Sequence, residues 1–159
     1  MRPWLTWGRW SVKWISGILS IIMLALAGPA WCDCSVTVTQ AIFGNYDAIG
    51  YASLDTVADI SVSCSSGAPY TIKSDPGQHV GAGFQRRMLS SDGGTTLNYN
   101  LFRDPACTEV WGDGTASTSV FFGTGTGGPL QHRVYGRIPG SQRVKADNYG
   151  DSVVVTVEW

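Results

Sequence analysis

Residues 149–159 read YGDSVVVTVEW. From Val153 to Val157 the run is almost unbroken in β-branched residues, the composition of a strand buried on both faces, yet no segment follows to return over its sheet. Such a strand needs cover from elsewhere. The chain after residue 30 fits the same class: with 20 glycines overall, abundant Ser, Thr and Val, and no long amphipathic 3.6-residue pattern, it predicts short strands joined by tight turns. An all-β domain is expected. The 159 residues, 43% of them hydrophobic, suffice for one core and not comfortably for two. Only 14% are charged and the formal net charge is -1, so neither nucleic acid nor an anionic membrane is an expected partner.

The first thirty residues pose a separate problem. Arg2, Arg9 and Lys13 precede the apolar run WISGILSIIMLALAG, which has the length of a signal-peptide core and is short for a membrane span. Gly28 and Ala30 suit cleavage before Trp31; cutting after Ala27 or Cys32 also fits, and an uncleaved anchor is the alternative. Residues 1–30 are therefore read as a signal peptide and residues 31–159 as an exported domain with no membrane segment after cleavage. Export places Cys32, Cys34, Cys64 and Cys107 in an oxidising compartment, where an even count points to disulfides. Three pairings are formally open. Cys32 and Cys34 are too close to bridge easily in an extended strand, so each is expected to pair with a distant partner. No zinc signature competes, since paired CxxC elements are missing and His79 and His132 lie far apart in sequence.

Strand signals recur along the domain. SVTV puts Val36 and Val38 on one face, FGNYDAIG breaks the pattern, and ADISVSC aligns Ile60, Val62 and Cys64. APYTIKS follows, then RRMLSSDGGTTLNYNLFRD, two strand-like runs flanking a Ser91-Asp92-Gly93-Gly94 turn. STSVFF, LQHRVYGRIPG and DSVVVTVEW bring the count to roughly eight strands at the spacing of a sandwich. GTGTGG, residues 123–128, has no Lys-Ser/Thr after it and reads as a hairpin connection rather than a phosphate loop.

No catalytic constellation emerges. Gly-x-Ser-x-Gly is missing and neither His sits in a recognisable motif, so His132 reads as one of a surface pair. Asp104, Glu109 and Asp113 crowd one region, but acids in a Gly-rich turn more often form the turn than serve as glycosidase carboxylates or calcium ligands. No enzyme activity, cofactor or metal is expected.

In order along the chain, CSVTVTQAIFGNYDAIG, ADISVSC, RRMLSS, LNYNLFRDPACTEVWGDGT, VYGRIPG and NYGDSVVVTVEW resemble the spore coat protein U domain family, shared by subunits of archaic chaperone-usher pili. The resemblance implies an immunoglobulin-like (pilin-type) β-sandwich lacking its final strand. It also implies export to the periplasm and partnership with a periplasmic chaperone, an outer-membrane usher and companion pilus subunits. A chaperone and then another subunit would lend the missing strand beside Val153, Val155, Val157 and Trp159, which is β-strand addition. The family's disulfide implies Cys34 with Cys64, a closure restricting the unfolded chain by roughly 3.7 kcal/mol on the polymer-entropy relation. Cys32 and Cys107 are additional to the commonest pattern and are left to pair with each other.

One departure from a polymerising subunit is expected. Family donor segments precede the first cysteine, whereas cleavage before Trp31 leaves only three residues ahead of Cys34. These reach about 10 Å, against about 33 Å for a groove-filling strand of ten. The chain is therefore expected to accept a strand without donating one, to form no long homopolymer, and to sit at a terminal or tip-proximal place in a surface fibre serving adhesion and biofilm formation. The alternatives are a secreted structural coat protein and a carbohydrate-binding sandwich resting on aromatics such as Trp111.

Overall fold

The computed structural model describes residues 33–159; the expected signal peptide and Cys32 lie outside them. Ten strands form, with no helix among the described residues: β1 Cys34–Val38, β2 Leu54–Cys64, β3 Pro69–Ser74, β4 His79–Val80, β5 Arg86–Ser90, β6 Thr96–Phe102, β7 Phe121–Thr124, β8 Pro129–Ile138, β9 Tyr149–Gly150 and β10 Val155–Glu158. The larger antiparallel sheet runs β1-β2-β8-β6-β5-β4, with β9 also on β5; the smaller runs β10-β3-β7.

Alternation dictates which faces meet. On β2, Ile60, Val62 and Cys64 are all 2% exposed or less, as the period-2 pattern requires. Tyr70 and Ile72 of β3, Leu97, Tyr99 and Leu101 of β6, and Val134 and Ile138 of β8 join them in one core. The expected hairpin is β5–β6, with Met88 opposite Leu97 and residues 91–94 as its turn.

Three expectations need correction. STSVFF does not start a strand at Ser117: Ala116 and Ser117 adopt φ of 48° and 62°, left-handed values incompatible with a pleat, and β7 begins at Phe121. GTGTGG is not a hairpin connection, because Gly123 and Thr124 complete β7 in the smaller sheet while β8 belongs to the larger one. The crossing depends on Gly125, where a Cβ would stand 2.2 Å from the Ser65 carbonyl oxygen. The closing valine run is not buried on both faces either: Val153, Val155 and Val157 are half-buried, whereas Val154 is 60% exposed.

Candidate strand-acceptor groove

A cleft of 1020 Å³ opens into the core. Its floor includes Ile60, Leu97, Leu101, Trp111, Val134 and Ile138, every one of them a buried core residue. Val38 at the end of β1 and residues 39–46, 48 and 49 after it contribute to the lining, as do residues 144–151 and Val153, which lead into β10, and Val155 at its start.

Both flanking strands are sheet edges. On β10, the Asp75 amide donates to the Val154 carbonyl at 3.1 Å and the Val154 amide donates to Asp75 Oδ1 at 2.9 Å. Residues 154, 156 and 158 therefore direct their peptide groups toward β3, and residues 155 and 157 direct theirs to the open side. On β1, the Thr39 amide donates to the Asp59 carbonyl and the Ser65 amide to the Asp33 carbonyl, so odd-numbered residues face β2 and those of Val36 and Val38 face the open side. Val36 and Val38 are 37% and 51% exposed, which leaves the apolar alternation of β1 without full cover. Each edge thus offers unpaired peptide groups beside apolar side chains, the two things an added strand uses.

The residues of FGNYDAIG shape one side of the cleft. Phe43 meets Tyr99 edge-on with ring centroids 6.0 Å apart, and packs where Gly136 of β8 has no side chain: a Cβ there would lie 2.7 Å from the ring. The Tyr46 hydroxyl donates to the Pro139 carbonyl and accepts from the Gln142 amide, both at 2.9 Å. Asp47 Oδ1 accepts the amides of Ile49 and Gly50, an Asx turn that ends the segment.

A polar network anchors the other side. Arg86, 0% exposed, donates to Asn100 Oδ1, Ser74 Oγ and the carbonyls of Trp111 and Asp75 at 2.6–3.0 Å, tying β5 and β6 to the end of β3. Burial lowers its pKa to about 10, still charged at neutral pH. The Tyr99 hydroxyl donates to Asp151 Oδ2 at 2.8 Å; burial first, and then that carboxylate, push its pKa far above the usual phenol range, so it remains a donor. Sequence reasoning missed this network, although Arg86 at an inward position, alternating with Met88 and Ser90, was its signal.

Of the expected interface residues, Val153 and Val155 line the cleft. Val157 packs against the core, and Trp159 lies at a separate shallow depression with Pro69, Tyr70 and Phe122. Cys34 and Cys64 form a disulfide. Cys107 has no disulfide partner among the described residues, and its thiol, raised in pKa by burial, feels the charges of Arg137 and Asp55. Asp33 is hydrogen-bonded to Ser65, beyond the Cys64 end. The expected Cys32–Cys107 pairing involves Cys32, which lies outside the described residues.

The carbohydrate reading loses its basis. Trp111 is 2% exposed and donates through Nε1 to the Ile72 carbonyl. Asp104 accepts the amides of Glu109 and Thr108 and the Thr108 hydroxyl, and Asp113 accepts the Thr115 hydroxyl and amide; these bonds lower both pKa values. Both acids shape turns. His132 is half-buried rather than one of an exposed pair: it meets the Tyr70 hydroxyl at 2.8 Å and packs on Phe121, and burial, aided by Arg103, lowers its pKa. Among the described residues no cluster of three or more His, Cys, Asp or Glu could hold a metal, and no helix is long and apolar enough to cross a membrane.

The sequence profile of the Spore Coat Protein U domain matches residues 23–156. This chain belongs to the Spore Coat Protein U domain family. Protein U of Myxococcus xanthus is 30% identical over 127 residues, covering 74% of this chain and 70% of that protein. Among solved structures, a chain of the CsuC–CsuE chaperone–tip adhesion subunit pre-assembly complex from archaic chaperone-usher Csu pili of Acinetobacter baumannii superimposes with a TM-score of 0.62 at 22% identity. A chain of a chaperone–tip adhesin complex of CFA/I fimbriae gives 0.53 at 8% identity. These comparisons cover 80% and 79% of this chain but only 40% and 41% of the matched chains. The shared fold of this spore coat protein U domain is the immunoglobulin-like sandwich expected above.

Proposed function

We propose that the chain is a chaperone-usher pilus subunit that acts by accepting a strand, through assembly rather than catalysis. One observation carries the reading: the core opens into a 1020 Å³ cleft that reaches β1 at Val38 and β10 at Val155, two sheet edges whose outward peptide groups belong to Val36, Val38, Val155 and Val157. An incoming strand would supply ladder hydrogen bonds to those groups and alternate apolar side chains to the floor. A small molecule could fill the volume but would leave the edges unpaired. The partners are a periplasmic chaperone, an outer-membrane usher and companion subunits; the route is secretion through the periplasm to a pilus or the cell surface, in adhesion and biofilm formation. A terminal or tip-proximal position belongs to the proposal and requires cleavage before Trp31, which the mass of the mature N-terminus tests.

The experiment is strand exchange. Mature protein purified with a periplasmic chaperone is incubated with a synthetic peptide of alternating apolar residues. Release of the chaperone, a one-to-one peptide complex and higher thermal stability are expected, a ligand at 100 times its Kd adding about 2.7 kcal/mol. A chaperone-free monomer of unchanged melting temperature, with or without peptide, would overturn the proposal. A secreted coat protein completed within its own chain would give that second result.

A further inference from the structure

The inward row on the β10 side of the cleft is not apolar throughout. Asp151, Val153 and Val155 are alternate residues of one run, and all three line the cleft. Asp151 is half-buried and fixed at two points: Oδ2 accepts the Tyr99 hydroxyl at 2.8 Å and Oδ1 accepts the Gln78 amide at 3.0 Å. Each oxygen retains capacity for another donor. Tyr99 is itself only 4% exposed, so the support comes from inside the core. The neighbouring cation does not supply that donor. Arg86 gives its hydrogen bonds to Asn100, Ser74 and the Asp75 and Trp111 carbonyls, and Asp75 adds a second carboxylate beside it.

An alternating apolar strand in a groove of valines has a degeneracy. Slipping by one residue turns its apolar face outward, but slipping by two keeps every apolar side chain inside. One charged group in the row removes that freedom. In one register the carboxylate meets a donor; in the others it loses water against an apolar side chain and gains nothing in return. We propose that Asp151, positioned by Tyr99, sets the register of the strand that fills the groove, and that this strand carries Lys, Ser or Thr at the inward position facing Asp151. The inference rests on strand acceptance as the function.

The probe is a set of twelve-residue synthetic peptides alternating Val with Thr. The parent has Val at every inward position, and each other member replaces one inward Val with Lys. Affinities are measured on the mature chain. One inward position near an end should favour Lys over the parent by about tenfold, while Lys elsewhere weakens binding. In Asp151→Asn that ratio should fall to about one, and in Tyr99→Phe, which releases the carboxylate from its anchor, it should shrink. Binding of the parent with no position preferring Lys would overturn the inference, as would a preference that survives Asp151→Asn. Should Asp151→Asn fail to fold, the wild-type scan and Tyr99→Phe decide alone. Failure of the parent itself to bind the wild type would remove strand acceptance, and with it this assignment.

Discussion

Replacing Cys34 and Cys64 together by Ala removes the covalent tie that holds β1 to β2. The bridge joins positions separated by 30 residues. On the polymer-entropy relation, 2.1 + 1.5R ln 30 is about 12 cal/mol/K, or about 3.7 kcal/mol at 25 °C. For a domain of this size the melting temperature should fall on the order of 10–15 °C. The loss is not spread evenly. Strand β1 pairs with β2 alone, and its Val36 and Val38 are too exposed to hold it by burial, so it should fray first. Because β1 forms one edge of the groove, strand capture should weaken along with stability. Urea melts followed by tryptophan fluorescence give the first quantity; peptide titration gives the second. A stability loss under about 1 kcal/mol would refute the entropic reasoning. Unchanged capture with a clear stability loss would instead remove β1 from the groove.

Further outcomes follow from particular groups. Thr156→Pro deletes an amide on the β3 side of β10 and should strongly destabilise the free domain, whereas Val157→Pro deletes one on the open side and should cost the free domain far less while abolishing strand capture; equal effects in both assays would show the edge assignment to be wrong. His132 has a pKa lowered from its ordinary 6.5, so the unfolded chain binds its proton first and stability should decline as pH falls below 6.5 toward the folded-state value, a slope that His132→Gln removes; the same slope in the variant would contradict its burial beside Tyr70. Labelling of unreduced, denatured monomer followed by mass mapping should find Cys34 and Cys64 unreactive and joined to each other, and a free thiol at either would contradict the bridge.

Much of the sandwich was legible because it follows from period-2 alternation. Ile60, Val62 and Cys64 face inward as ADISVSC requires, and the β5–β6 hairpin forms around the Asp-Gly-Gly turn. Features set by backbone conformation or by crossing between sheets were not. Nothing in STSVFF announces the left-handed Ser117, and nothing in GTGTGG reveals that its ends belong to different sheets. The strand edge at Val155 and Val157 was foreseeable from the valine run, whereas the sides of the cleft were not. They arise because the chain pairs with β5 at Tyr149–Gly150 and then crosses to β3 at Val155, placing Asp151 between the two. His132 was misjudged because its flanking Gln131 and Arg133 are polar, yet alternation turns those two outward and His132 toward Tyr70.

Amide hydrogen exchange, residue by residue, tests strand acceptance most directly. In the free mature protein the amides of Val36, Val38, Val155 and Val157 should exchange rapidly, while those of Thr37 and Thr156, turned toward β2 and β3, are protected. When an alternating peptide fills the groove, those four should become protected together. Protection of all four in the free protein, or their continued rapid exchange with peptide bound, would contradict the account.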